Sequence, residues 1–167
     1  MLLQMFEEAC STPSDNNEHC AKLHELAKEC NHITEFGVMF GRSTISFLAA
    51  RPDTLISYDI KKQEIVNKIE KFAEEEGLAF VFKLEDSRTV AIAKTDLLYI
   101  DTEHTYEQLR VELFGHGHKV RKYIVMHDTA VFPEMGKAID EFLEQGFFQI
   151  KEIFLNNNGL TVLERVR

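Results

Sequence analysis

Apolar positions along this chain alternate between two rhythms. Short runs rich in β-branched and aromatic residues predict five strands at 32–37, 54–59, 79–84, 96–100 and 122–126. Segments with apolar residues three and four apart lie between them. These predict helices at about 41–50, 61–76, 105–114 and 135–145, with a short helix or turn at 87–94. Gly77 and Gly146 stop two of these helices. A leading helix is expected over 15–30, where Leu23, Leu26, Ala27 and Cys30 make an apolar stripe. Asp15 is its expected N-cap, with Glu18 three residues on. Residues 1–14 carry little pattern and are read as an N-terminal extension.

The tail changes rhythm. Two strand-like runs, 147–155 and 160–166, flank Asn156, Asn157, Asn158 and Gly159, and Asn-Gly signals a tight hairpin turn. Strands separated by helices imply an α/β fold with a mostly parallel sheet. The expectation is a Rossmann-like, doubly wound sheet of about seven strands closed by a C-terminal antiparallel hairpin.

Composition narrows this picture. A length of 167 residues favours one domain, 1–167. Thirteen phenylalanines and no tryptophan make phenylalanine the main source of core bulk, with Phe80 and Phe82 expected inside the sheet. The net charge of -9 disfavours general nucleic-acid binding. The one dense basic run, His118, Lys119, Arg121 and Lys122, reads as a solvated loop. Three cysteines, Cys10, Cys20 and Cys30, suit a reduced, cytoplasmic protein. No apolar run is long enough for a membrane span, and none near the start resembles a secretory signal.

Candidate chemistry gathers where strands end. Glu35, Gly37, Gly41, Ser43 and Thr44 lie between the first strand and the next helix. Glycines there permit close backbone approach, and a helix N-terminus offers free N–H donors. Gly37 and Gly41 are four apart, which departs from the dinucleotide pattern, and no Gly-Lys-Ser/Thr follows as in a phosphate-cradling loop. An acid before the first glycine suits an ammonium-bearing ligand. Asp59, ending the second strand, is placed to accept from two ribose hydroxyls, or to cap the following helix. Asp86 and Ser87 follow the third strand and could meet an adenine edge or simply form a polar turn. Asp101 and His104 follow the fourth strand, and His127 and Asp128 the fifth. Asp101 with His104 could share a metal or form an oriented acid/base pair. Asp101 and Asp128 could share a divalent cation, for which hard oxygen ligands favour Mg²⁺.

Glu35, Gly37, Gly41, Ser43, Asp59 and the closing hairpin together resemble class I S-adenosylmethionine (SAM)-dependent methyltransferases, from about residue 15 onward. The resemblance implies that Glu35, Gly37, Gly41 and Ser43 line the methionine end of SAM. It implies that Asp59 holds the ribose and that Asp86 and Ser87 flank the adenine. Asp101, His104, Tyr106 and Asp128 are similar to a subgroup of magnesium-dependent sugar O-methyltransferases and cephalosporin hydroxylase-like proteins. That likeness implies Mg²⁺ on Asp101 and Asp128, and His104 as the base that deprotonates a hydroxyl. His127 stands where the metal-binding members have a second carboxylate.

The expected activity is methyl transfer to oxygen of a small hydroxylated acceptor. A non-catalytic SAM- or nucleoside-binding module, such as an accessory subunit, would keep Glu35, Gly37 and Asp59 but need neither His104 nor a metal. A dehydrogenase-like nucleotide binder fits less well, given the glycine spacing and the hairpin. So short a chain is also compatible with a homo-oligomer that completes its site with a partner subunit.

Overall fold

The structure, a computed structural model, describes residues 2–167. Seven strands form one sheet: β1 (His32–Phe36), β2 (Thr54–Asp59), β3 (Phe80–Leu84), β4 (Thr95–Ile100), β5 (Val120–His127), β6 (Phe148–Phe154) and β7 (Leu160–Arg165). Their order is β3-β2-β1-β4-β5-β7-β6. The first five pair in parallel, while β7 runs antiparallel to β5 and β6. The expected doubly wound sheet with its closing hairpin is therefore present.

Strand alternation assigns the two faces. Ile33, Leu97 and Tyr99 point into one core, which the helices α1 (Leu2–Ser11), α2 (Cys20–Ala27), α3 (Arg42–Ala49) and α4 (Glu64–Glu75) cover with Leu2, Leu23, Phe47 and Ile69. Phe36, Leu98 and Ile100 point into the other, which α5 (Tyr106–His116) and α6 (Pro133–Leu143) cover with Leu109, Leu113, Ile139 and Phe142. β4 sits centrally and is buried along its whole length. The chain reverses direction across the sheet between β1 and β4, which is where ligands enter such folds.

Several sequence expectations need correction. Within the N-terminal extension, residues 2–11 form a helix that the weak pattern there did not predict. Met1 of that segment lies outside the described residues. The leading helix is shorter than expected: a 3₁₀ turn at Asn17–His19 precedes α2. Asp15 does not cap it. Asn17 Oδ1 accepts from the Ser14 backbone N–H, so the chain turns here instead of starting a helix. Of the short helix or turn expected at 87–94, the turn is what forms, at 87–89. Phe80 and Phe82 are only half-buried, because β3 is an edge strand with one neighbour. The basic run is tied down: Arg121 pairs with Asp96 at 2.8 Å, and Lys122 donates to the Glu29 carbonyl. All three cysteines are free thiols. No helix among the described residues is long and apolar enough to cross a membrane.

Candidate active site

The site begins with a buried acid. Glu35 near the end of β1 is fully buried, and its carboxylate accepts from Ser43 Oγ at 2.6 Å, Thr44 Oγ1 at 2.8 Å and Ser57 Oγ at 2.5 Å. These bonds tie the first turn of α3 and strand β2 to β1. Burial pushes the Glu35 carboxyl up to about 7, against those three donors. Glu35 and Ser43 thus face each other beneath the loop and do not line the open cleft.

The two glycines have different reasons to be glycine. At Gly37, with φ +85°, an added Cβ would lie 1.9 Å from the Asp101 carbonyl oxygen, because β1 and β4 leave the sheet in contact. At Gly41, with φ +73°, the Cβ would meet side chains alone, the Ile69 Cδ1 methyl at 2.6 Å and Ile65 Cγ1 at 3.4 Å. Gly41 starts α3 and packs on α4, whereas Gly37 lines the cleft.

The cleft has a volume of about 350 Å³ and lies over the carboxyl ends of the strands. Gly37, Asp59, Asp86, Asp101, Thr102 and Gln108 are among its lining residues. Asp59 clamps the loop: Oδ2 accepts from the backbone N–H of Val38 at 2.9 Å, and Oδ1 accepts from that of Lys61 at 3.0 Å. Asp86 is paired with Arg88 at 2.6 Å, and Ser87 turns its hydroxyl inward to Glu112 at 2.6 Å. Ser87 still belongs to the cleft wall.

A second cluster sits where β4 and β5 end. Asp101 Oδ1, His104 Nε2 and Asp128 Oδ2 are arranged so that one ligand atom from each lies within 4.8 Å of the others. His104 Nε2 is 2.7 Å from Asp128 Oδ2 and 3.5 Å from Asp101 Oδ1. The Asp101 and Asp128 carboxylates raise the His104 imidazole to about 9. Phe132 stacks on its ring at 4.6 Å and fixes its plane. Behind it, His127 is buried with Nδ1 3.3 Å from Asp128 and 3.7 Å from Asp101. Neither contact is aligned as a hydrogen bond, so the attraction is one of charge. Burial disfavours its charged form, but the two carboxylates win and lift it to about 10. His104 and His127 in turn hold both carboxyls below their ordinary range, against burial. At neutral pH the cluster therefore carries two carboxylates and two imidazoliums. Asp128 adopts φ +61°, a left-handed conformation that aspartate tolerates better than most residues, and its Oδ1 is buried without a partner.

The structure thus brings Asp101, His104 and Asp128 together and sets Gly37, Asp59, Asp86 and Ser87 around one cleft. Tyr106 is not part of either group, since its hydroxyl donates to Glu141 of α6 at 2.8 Å. Sequence reasoning gave no role to Thr102, Gln108 and Glu112. Glu112 is fully buried, and burial pushes its carboxyl up although Ser87, Gln108 and Thr102 all donate to it. The available signal was a pair of polar residues, Gln108 and Glu112, beside Leu109 and Leu113 on the inward stripe of α5.

No family model and no curated protein matches the chain. Solved structures do match in fold. The N-methyltransferase NodS from Bradyrhizobium japonicum, bound to S-adenosylhomocysteine, is 12% identical with a TM-score of 0.70, over 99% of both chains. A Staphylococcus aureus protein described as a caffeoyl-CoA O-methyltransferase is 11% identical with a TM-score of 0.71, over 99% of this chain and 91% of that one. A Corynebacterium glutamicum protein is 15% identical with a TM-score of 0.73, over 99% of this chain and 89% of that one. The seven-stranded sheet, its strand order and its antiparallel closing pair are thus those of the class I SAM-dependent methyltransferase fold.

Proposed function

We propose that this protein is a SAM-dependent methyltransferase acting on an oxygen of a small hydroxylated acceptor. The observation that carries the reading is the adjacency of two sites that share Asp101. One is a cleft rimmed by Gly37, Asp59 and Asp86, and the other is the polar cluster of Asp101, His104 and Asp128. In this reading Gly37 lies at the methionine end of the cofactor, Asp59 accepts from the ribose hydroxyls, and Asp86 and Ser87 meet the adenine. Methyl transfer is an in-line displacement, so most of the rate comes from holding the acceptor oxygen against the sulfonium.

His104 is the proposed base. In the free protein it holds its proton at neutral pH, because its pKa is lifted to about 9 by the two carboxylates. It can accept a hydroxyl proton once those carboxylates are engaged elsewhere. Asp101 and Asp128 would hold a divalent cation such as Mg²⁺, which supplies positive charge that lowers the acceptor hydroxyl pKa. The residues fit such an ion: the ligand atoms converge, and Asp128 Oδ1 is buried without a hydrogen bond. The His127 imidazolium already neutralises part of that charge, so affinity should be modest. His104 belongs to the same ligand set, and it can serve as the base only while the ion leaves it free.

Calorimetric titration with S-adenosylhomocysteine, with and without Mg²⁺, tests this reading. Saturable binding is expected. Asp59→Ala should weaken it roughly 10- to 100-fold, as expected for losing a charged acceptor. Binding without any metal effect would move the weight to a metal-free enzyme or a non-catalytic binding module. Absence of binding by folded protein refutes the function and leaves the fold.

A further inference from the structure

His127, at the end of β5, is only 1% exposed, and its ring is held in two places. Nε2 lies 3.1 Å from the Asn157 carbonyl oxygen. A carbonyl only accepts, so this nitrogen carries a hydrogen. The His19 ring packs edge-on against it, with 5.3 Å between centroids. Nδ1 is left facing the carboxylates of Asp101 and Asp128, buried and without a hydrogen-bond partner. It stands 3.3 Å from Asp128 Oδ2 and 3.7 Å from Asp101 Oδ1. Two atoms that bind one ion from about 2.1 Å each stand roughly 3.0–3.5 Å apart, so these spacings are close to those of shared ligands. His104 Nε2 is 2.7 Å from Asp128 Oδ2, which is nearer than two such ligands stand. Asp101 is oriented as well, because Oδ2 accepts from the Tyr99 hydroxyl at 3.1 Å and Oδ1 is left to the cluster. Metal-ligating imidazoles characteristically give their other N–H to a carbonyl or carboxylate, and ligating carboxylates are themselves hydrogen-bonded.

We propose that His127 Nδ1 is the third protein ligand of the cation, beside Asp101 and Asp128, so that the site takes a divalent first-row transition ion in preference to Mg²⁺ and leaves His104 outside the coordination shell. The inference rests on the reading of this cluster as a cation site. Mg²⁺ favours oxygen, whereas imidazole nitrogen suits transition ions. Coordination requires the Nδ1 lone pair, so any hydrogen on Nδ1 leaves to solvent while Nε2 keeps its own. A transition ion gains a nitrogen bond in exchange for that proton, and Mg²⁺ gains little. His104 is then free to take the proton of an acceptor hydroxyl, which removes its conflict between ligand and base.

The test adds Mn²⁺ to the full chain and reads directly bound nitrogen from its nuclear coupling in pulsed electron paramagnetic resonance. Wild type and His104→Gln should both show the coupling, and His127→Gln should lose it. The glutamine amide can still donate to the Asn157 carbonyl, so this variant removes Nδ1 and keeps the hydrogen bond behind it. Mn²⁺ affinity should fall at least about tenfold in His127→Gln, since a ligand matters no less than the groups that orient it. His127→Asp replaces nitrogen by oxygen, and the preference for Mn²⁺ over Mg²⁺, read by competition, should narrow by about tenfold. If His127→Gln does not fold, His104→Gln decides alone. Loss of the coupling there makes His104 the ligand and overturns the proposal. A coupling undiminished in Asp128→Asn comes from elsewhere and overturns it too. Mn²⁺ bound by wild type without nitrogen coupling overturns it while sparing the cation reading. Binding of neither Mn²⁺ nor Mg²⁺ by folded protein refutes both.

Discussion

Glu35 offers the most direct test of how this site is held together. Its carboxyl is lifted from 4.5 to about 7 by complete burial, and three hydroxyl donors only partly offset that cost. A raised carboxyl pKa means that the folded state holds its proton more tightly than the unfolded chain does. The corresponding stability is present in full below the unfolded value. It is lost as pH rises through the folded value, in this case between about 4.5 and 7. Linkage over these two values gives a loss of about 2 kcal/mol between pH ~5.5 and ~8.5. Glu35→Gln removes the titration while keeping the shape. Ser43, Thr44 and Ser57 can still donate to the amide oxygen, although its NH₂ then needs an acceptor, which the rotatable hydroxyls can supply.

The assay is urea unfolding of both proteins at the two pH values, read from the midpoint at constant slope. Other groups that titrate in this window contribute equally to both proteins and cancel in the difference. Glu35→Gln should gain about 2 kcal/mol relative to wild type on going from the lower to the higher pH. If the two proteins lose or gain stability in parallel, within about 0.5 kcal/mol, then Glu35 titrates normally and burial is not what governs it.

Other predictions follow from the same geometry. Gly37→Ala should cost more than about 3 kcal/mol in urea unfolding or displace Asp101, because its Cβ meets a backbone oxygen. Binding of S-adenosylhomocysteine should be lost with it. Gly41→Ala should cost only about 1–2 kcal/mol, since a flexible Ile69 methyl can move, and it should leave ligand affinity within a few-fold. Without added metal, any methyl-transfer rate that depends on His104 as base should rise with pH up to about 9, and Mg²⁺ should shift that rise to lower pH. Absence of that rise would exclude the base, and a profile unchanged by Mg²⁺ and by EDTA would exclude the cation. Asp128→Asn should bring the His104 titration, followed by NMR, down towards 6.5, because the carboxylate 2.7 Å from Nε2 is lost.

The fold was legible because the strongest signals here are periodic. Thr54–Asp59 was delimited to the residue, and the other strands to within a few, since burial on both faces of a parallel sheet leaves continuous apolar runs. Phe80 and Phe82 were misplaced for a related reason. An edge strand and a central strand look alike in one dimension, and only the strand order shows that β3 has a single neighbour. The N-terminal helix at Leu2–Ser11 was missed because it makes most of its contacts with α3 in space. Local propensity does not report such tertiary support. The Asn17 side chain explains the broken leading helix, and that competition between side chain and backbone is not visible in periodicity.

At the site, the sequence identified residue types at strand ends but not which way they face. Glu35 and Ser43 looked like ligand contacts and instead satisfy each other inside the protein. Any effect on a ligand would be exerted through the loop that they anchor. His104 and Asp128 looked like a base and a metal ligand, and the structure gives a specific reason why each role constrains the other. Held 2.7 Å from Asp128, His104 is charged in the free protein and cannot take a proton at neutral pH. The arrangement that would make these carboxylates a cation site is therefore the one that keeps the histidine protonated until a competing positive charge arrives. Cofactor, acceptor and cation would then assemble in a preferred order. The proton-accepting state of His104 would exist mainly in the complete complex, where it is useful.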